Sequence, residues 1–309
     1  MHGIAFHYFQ DEHPPFHHIP CQGSLTQRQF ERVIDQLEEQ YTILQPEEFI
    51  NRYLAGDRSP NQICLCFYCG LKSQFDLALP VLEARGLRAF WFLYTAVFCG
   101  EIVKIEQYHH FRSLCFDTAD DFYDAFFARA AVRFGRSRVD GALEAFDPAS
   151  YLAWSDYYTP NDKRYKYLRD RILTVDEYET VMGDMIDAVG YDVEAYRGLL
   201  WLREDDVRYL VRRGHMTGLH THSHPYDVGA LPLSLQKQEY ETNRNVLREI
   251  TGGPVISMAH PCNSYSAETL KILRDLGITI GFRSNYDENS GDVLEVPCMD
   301  HATLLRKWG

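Results

Sequence analysis

The hydrophobic residues of this chain follow two alternating patterns, one typical of buried strands and one typical of helices. Continuous apolar runs of strand length stand at residues 63–68 and 88–93, as expected for strands that are covered on both faces. A helical pattern over residues 75–84 separates them, and this order is typical of a parallel sheet. Earlier in the chain, Ser24 with Gln27 three residues on predicts a capping box at the start of a helix.

The alternation lapses after residue 98 and resumes near residue 203, where further strands and helices follow. The intervening residues carry helical patterns without a buried strand, which predicts an inserted helical cap over 99–202. About seven strands are expected in all. We therefore predict a single α/β domain, 1–309, whose strand-and-helix parts are 1–98 and 203–305. In such a cap, residues Trp154–Tyr158 are expected to contact a substrate.

Composition narrows the class of protein. The 309 residues hold 31 Lys and Arg against 44 Asp and Glu, a net charge of −13, which argues against a nucleic-acid partner. The apolar runs are too short for a membrane span. Eight cysteines are too few for a disulfide scaffold, and the first residues lack the pattern of a secretory leader. The expected location is the cytoplasm.

Three histidines form the densest cluster of chemically active side chains. His220, His222 and His224 lie directly after a predicted strand, at the end where parallel barrels assemble their active sites. His220 and His224, four residues apart, are candidate ligands for Zn²⁺ or a similar ion. His222 is a candidate third ligand or a substrate-contacting residue.

Cysteines at the end of the 63–68 strand offer a further ligand. Cys64 and Cys66 share one strand face and are expected to be small buried hydrophobes. Cys69 lies at the strand end, where its thiolate is a candidate ligand. A Cys/His/His set leaves a fourth position open, as catalytic zinc sites do. The neighbouring Tyr68 is a candidate catalytic residue.

Two later segments supply candidate proton carriers and substrate contacts. His260 follows another predicted strand and titrates in the range needed for proton transfer. Asn263 and Tyr265, in the same loop, are candidate substrate-binding residues. His301, near the last strand, is a candidate general acid or an ordinary surface histidine. Its neighbour Asp300 is expected to point to a different side of that strand.

Residues 66–70, 220–225 and 260–265, in this order, resemble three motifs of the polysaccharide deacetylase family, the NodB-homology or carbohydrate esterase 4-like enzymes. The resemblance implies a distorted (β/α)7 barrel, here with a helical insertion. It also implies that His220 and His224 bind the metal. The cytosolic branch of the family is associated with biosynthesis of surface glycans such as lipopolysaccharide.

The chain departs from the family at the catalytic base. Where members usually have Thr-Phe-Asp-Asp-Gly, this sequence has Cys66-Phe67-Tyr68-Cys69-Gly70. The family's first Asp is its general base and its second Asp is a metal ligand. Tyr68 and Cys69 take these places, and Cys298 stands where an Arg often supports the base. A phenol with an ordinary pKa of about 10 is a poor base at neutral pH.

These observations lead to three hypotheses about function. The first is a metal-dependent deacylase that hydrolyses the C–N amide bond of an N-acylated sugar in surface polysaccharide biosynthesis. The second is an altered deacetylase-like barrel that binds a carbohydrate or a partner without hydrolysis. The third is a thiol enzyme with Cys69 as the nucleophile, activated by His220 or His224.

Overall fold

The computed structural model describes residues 1–13, 17–21, 23–152, 158–286 and 291–308. The chain divides into two compact units: Met1–Val103 with Arg197–Gly309, here called the barrel unit, and Lys104–Tyr196, here called the helical unit. Of the predicted substrate contacts, residues 154–157 lie outside the described residues.

The barrel unit is built on eight strands that pair in parallel. The sheet closes because the first strand pairs with both the third and the eighth, while the second strand lies outside the closed ring. Seven strands thus form the barrel, and the predicted (β/α)7 fold is confirmed. The strands are β1 His2–Phe6, β2 Thr42–Ile43, β3 Gln62–Tyr68, β4 Phe90–Leu93, β5 Met216–Leu219, β6 Ser257–Ala259, β7 Ile280–Arg283 and β8 Val296–Asp300.

Helices follow most strands of the barrel unit and make up the helical unit. The α-helices are α1 Gln27–Gln40, α2 Pro46–Leu54, α3 Leu79–Ala84, α4 Lys104–Cys115, α5 Ala119–Phe134, α6 Arg136–Glu144, α7 Pro160–Tyr167, α8 Val175–Val189, α9 Arg197–Leu200, α10 Glu204–Arg212, α11 Leu233–Thr251, α12 Ala267–Asp275 and α13 His301–Trp308. Short 3₁₀ or π turns lie at Gln74–Ala78, Ala96–Cys99, Leu168–Ile172, Val193–Tyr196, Val228–Ala230 and Pro261–Asn263.

The alternation of side chains along β3 explains the composition of its run. Leu65 and Phe67 belong to the apolar layer between the strands and the surrounding helices. Cys64, Cys66 and Tyr68 alternate with them and are almost completely buried as well, so the strand is covered on both faces. The prediction that Cys64 and Cys66 are small buried residues is confirmed.

The predicted capping box at Ser24 and Gln27 is wrong by two residues. Helix α1 begins after Thr26, whose hydroxyl accepts from the Gln29 backbone N–H, while the Gln29 side chain accepts from the Thr26 N–H. The Ser24 hydroxyl instead donates to the Cys21 carbonyl at 2.7 Å. Both candidate pairs have the same spacing, and the local turn decides between them.

The described residues of the helical unit form helices and turns and contain no strand. Their core is largely aromatic, with Phe111, Phe122, Phe126 and Tyr165 buried together. None of the described helices has both the length and the apolar character that crossing a membrane requires.

Candidate active site

Parallel strands place the candidate residues at one end of the barrel. Cys69 directly follows β3, His220 follows β5 and His260 follows β6. His7 follows β1, and Asp300 is the last residue of β8. Since all these strands run in the same direction, their carboxyl ends form one face, which is the usual position of an active site in such barrels.

Three of the predicted residues form a compact ligand group. Cys69, His220 and His224 are all buried, and each offers one ligand atom within 4.8 Å of the other two. The backbone there is unusual, since Cys69 and His224 have φ of 77° and 58°, in the left-handed region that favours glycine. Such strain persists where the surrounding structure over-determines it, often at functional sites.

The two imidazoles are held neutral and oriented. Burial, followed by the nearby His224, lowers the pKa of His220 well below its ordinary value. Burial also lowers the pKa of His224 to about 4. His220 Nδ1 lies 2.9 Å from the Ala259 carbonyl oxygen; it therefore carries the hydrogen and leaves the Nε2 lone pair for a ligand.

The donor set fits a zinc-like ion. Neutral imidazole nitrogens and a thiolate are the ligands that zinc prefers, and three of them leave one position open. His224 Nδ1 is buried and has no hydrogen-bond partner in the described structure. A buried polar atom without a partner is costly, and coordination or solvent at this group would remove that cost.

Helix α11 supports the histidine loop from outside. Asn243, which is fully buried, accepts from the His220 backbone N–H at 2.9 Å and donates to the Leu93 carbonyl at 2.9 Å. Glu239 accepts from the backbone N–H groups of His222 and Ser223 at 2.9 and 2.8 Å. These contacts hold the backbone that carries the candidate ligands in place. The hydrophobic periodicity of the sequence did not indicate a role for Asn243 or Glu239.

His222, a predicted substrate contact, is occupied by protein contacts. Its Nδ1 lies 2.9 Å from the Thr95 hydroxyl, and its Nε2 lies 3.3 Å from a carboxylate oxygen of Glu101. Its carbonyl accepts from the N–H groups of Thr95 and Ala96. His222 therefore connects the histidine loop to the segment that follows β4.

Tyr68 lies against the ligand group with its ring stacked on His220, at a centroid distance of 5.5 Å. Burial raises the pKa of its phenol well above the ordinary value, and the thiols of Cys298 and Cys66 raise it further. A phenol that stays protonated can donate a hydrogen bond but cannot remove a proton. The structure therefore speaks against Tyr68 as a replacement base.

The loop after β6 brings His260 and Tyr265 together. Their rings stack at a centroid distance of 4.0 Å. His260 is fully buried, its Nε2 lies 2.8 Å from the Leu294 carbonyl, and burial lowers its pKa to about 4. The Tyr265 hydroxyl donates to Glu295 at 2.7 Å, and Asn263 Oδ1 accepts from the Ser284 N–H at 3.1 Å. These contacts connect the loop to the residue after β7 and to the segment before β8.

His301 has different surroundings from the ligand group. Its ring stacks on Phe6, and its two nitrogens lie 3.3 and 2.9 Å from the carbonyl oxygens of Ala5 and Gly23. These contacts join α13 to β1 and to the loop before α1. The distance from His301 Nδ1 to Asp300 Oδ1 is 3.8 Å.

His7 and Asp300 form a pair that the sequence analysis missed. His7 Nδ1 lies 3.5 Å from Asp300 Oδ2, and the His7 side chain is 28 % exposed. Burial would raise the pKa of Asp300, but the hydrogen bond from His7 and the nearby His301 lower it to about 2. The His7 ring also meets the edge of Tyr68 at 5.0 Å. The available signal was position, because both residues stand at the carboxyl ends of strands.

Gln74 holds the two strand ends that carry His7 and Cys69. Its side-chain amide is fully buried and donates to the carbonyls of His7 and Tyr68, at 2.7 and 2.6 Å. One side chain thus sets the spacing between β1 and β3 at the site.

Part of the chain matches a known protein family. Residues 179–281, which include the three histidines and His260, match the family model described as polysaccharide deacetylase. No curated protein sequence matches the chain. The match to the family model confirms the predicted resemblance to the polysaccharide deacetylase family, and solved structures are similar in fold.

Three of these structures cover nearly the whole chain. The Streptococcus pyogenes deacetylase PplD, solved with acetate, has a TM-score of 0.57 at 12% identity and covers 99% of this chain and 96% of its own. IcaB from Ammonifex degensii has a TM-score of 0.55 at 15% identity, with 96% and 89% covered. The BpsB deacetylase domain from Bordetella bronchiseptica has a TM-score of 0.54 at 12% identity, with 97% and 95% covered. At sequence identities of 12% to 15%, the structural similarity establishes the fold alone.

Proposed function

We propose that this protein is a metal-dependent deacylase that hydrolyses the C–N amide bond of an N-acylated sugar. The observation that carries the proposal is the buried group of Cys69, His220 and His224 at the carboxyl ends of the barrel strands. The match to the polysaccharide deacetylase model over residues 179–281 supports the reaction class. Zinc is the proposed metal, because thiolate and imidazole suit it better than they suit Mg²⁺ or Ca²⁺.

In this proposal Cys69, His220 and His224 hold the ion. When bound, such an ion supplies Lewis acidity that polarises the amide carbonyl and activates water. Asn243 and the Ala259 carbonyl keep His220 in place, so the ligand atoms are oriented before a substrate arrives.

We assign proton transfer to His7, oriented by Asp300. A proton carrier has to reach the substrate, and the His7 side chain is partly exposed, whereas His260 is fully buried. His301 has both nitrogens turned toward backbone carbonyls. The carboxylate of Asp300, whose pKa is about 2, stays charged at neutral pH and lies 3.5 Å from His7 Nδ1, where it orients the imidazole for proton transfer to the leaving amine. His260 and Tyr265 are proposed to shape the substrate side of the site.

The proposed substrate is an N-acylated sugar unit of a surface glycan or its precursor, and the proposed location is the cytoplasm. The buried Cys64, Cys66 and Cys298 are free thiols, a state typical of a reducing compartment.

A second candidate is carbohydrate or partner binding without hydrolysis. Tyr68 and Cys298 favour it, because Tyr68 remains protonated and the Cys298 thiol, whose pKa is raised well above its ordinary value by burial, carries no charge at neutral pH. Tyr68 and Cys298 therefore cannot replace the aspartate base of the family and the arginine that supports it.

Metal content and acetate release together separate the two candidates. Protein purified without added ions is expected to hold about one zinc per chain, and His220→Ala/His224→Ala is expected to hold none. His110→Asn, a buried histidine of the helical unit, serves as the control and should retain the metal. Zinc in the wild type with acetate release from N-acetylglucosamine oligosaccharides, and loss of both in the double variant, supports the deacylase.

Zinc without release from any N-acylated sugar tested would favour the binding protein. Absence of metal after reconstitution would contradict the hydrolytic site as proposed.

A further inference from the structure

The helical unit carries an open groove between α4 and α8 that the proposed deacylase reaction does not use. Its volume is about 480 Å³, and its lining comes from these two helices alone. On α8 the lining residues Asp176, Thr180, Gly183 and Asp187 follow one another at helical spacing. Since Asp176 and Asp187 are three turns apart, the groove extends about 16 Å along the axis of α8.

The groove is acidic. Its lining holds the carboxylates of Asp176, Glu179 and Asp187 against one ammonium, that of Lys104, a net charge of −2. Lys104 and Glu179 pair with each other at 2.5 Å, from one helix to the other. Asp176 and Asp187 make no ion pair within the described segments of the chain. One uncompensated carboxylate therefore stands at each end of the groove.

Tyr108 adds a polar group to the groove that the protein itself does not use. Tyr108 lines the groove and is only 7 % exposed, and its hydroxyl makes no hydrogen bond to any residue that the structure describes. Burial and, secondly, the charge of Glu179 raise the pKa of this phenol above its ordinary value, so the hydroxyl stays protonated and can donate. A tyrosine hydroxyl on an otherwise buried ring usually has a partner, and its absence here points to a ligand.

Gly183 leaves the middle of the groove open. It stands inside α8, where glycine costs about 1 kcal/mol relative to alanine. A Cβ atom at this position would meet no neighbouring atom within 4 Å, so the packing of the helical unit does not require a glycine. A ligand can therefore approach the backbone of α8 closely at this position.

We propose that this groove binds an oligosaccharide with free amino groups, the kind of product that the proposed deacylation releases. A carboxylate at each end suits two ammonium groups of one elongated chain, and Tyr108 and Gln107 can pair with sugar hydroxyls between them. A single metal ion does not fit, because Asp176 and Asp187 are too far apart to bind the same ion. The choice of ligand rests on the proposed function, whereas the groove lies wholly within the helical unit.

Calorimetric titration of the full chain with a β-1,4-linked glucosamine trisaccharide tests the proposal. The wild type is expected to bind. Gly183→Leu, which fills the groove, should weaken binding at least tenfold, and Tyr108→Phe and Asp187→Asn should each weaken it about three- to tenfold. The matched control is Gly141→Leu, at a glycine of α6 that also has open space around it, and it should bind as the wild type does.

Three further titrations use the His220→Ala/His224→Ala variant, which lacks the proposed metal ligands. The glucosamine trisaccharide should bind it as tightly as it binds the wild type. The N-acetylated trisaccharide, which has no ammonium group, and spermidine, which has amines but no sugar ring, should each bind at least tenfold more weakly. Equal affinity for either of these two ligands would overturn the proposal. Loss of trisaccharide binding in this variant, or undiminished binding in Gly183→Leu, would overturn it as well.

The result can be separated from the test of the deacylase. Acetate release without binding of the glucosamine trisaccharide would overturn this inference alone. Binding in the groove without acetate release from any N-acylated sugar would overturn the deacylase alone.

Discussion

Asn243 offers a direct test of whether the support around the histidine loop matters for metal binding. In Asn243→Ala the backbone N–H of His220 and the carbonyl of Leu93 both lose their hydrogen bonds in a fully buried position. An orphaned buried polar group costs about 1–3 kcal/mol. The free energy of unfolding should therefore fall by about 3 kcal/mol. Because His220 moves with its backbone, zinc affinity should fall about 10- to 100-fold.

Urea unfolding of the metal-free protein measures the first effect, and zinc titration against a competing chelator measures the second. Asn245→Ala, an exposed asparagine two residues along the same helix, is the matched control and should change neither quantity. An Asn243→Ala protein with lowered stability but wild-type zinc affinity would refute the argument that this side chain positions His220.

Two further predictions concern stability alone. His215 Nδ1 accepts from the Ala89 N–H and the Trp91 indole at 3.1 and 3.2 Å, and burial lowers its pKa from 6.5 to about 4. Neutral His215 therefore contributes about 3 kcal/mol to the free energy of unfolding above pH 6.5, and this contribution is lost as the pH falls toward 4. In urea unfolding across this range, His215→Asn should lose less stability than the wild type. Parallel curves would contradict the conclusion that His215 causes the loss. Gly218→Ala places a methyl group 2.6 Å from both Phe92 and Ser257. The free energy of unfolding should therefore fall by about 1–3 kcal/mol in the same assay. Wild-type stability in this variant would contradict the prediction and show that the barrel interior can relax.

The alternation of buried strands with amphipathic helices was sufficient to predict a parallel sheet, and the resemblance to polysaccharide deacetylases implied that the sheet closes into a barrel. Motif positions at strand ends predicted Cys69, His220 and His224, which the structure brings together. His7 and Asp300 were not predicted as a pair, since they lie near opposite ends of the chain and meet through the pairing of β1 with β8. A one-dimensional pattern holds no information on that pairing. For His222, the motif position suggested a substrate contact but did not reveal that both ring nitrogens lie within hydrogen-bond distance of Thr95 and Glu101.

The position of β1 between β3 and β8 has a consequence for how the site comes into being. The first strand cannot complete its pairing until the last strand has been synthesised, and His7 acquires Asp300 at that same step. The proposed metal ligands Cys69, His220 and His224 are all present in a nascent chain before Asp300. Contacts between such distant residues form slowly because of the cost of loop closure. In the proposed mechanism, the metal is thus held before the proposed proton carrier His7 meets Asp300, and catalytic competence marks the final closure of the barrel.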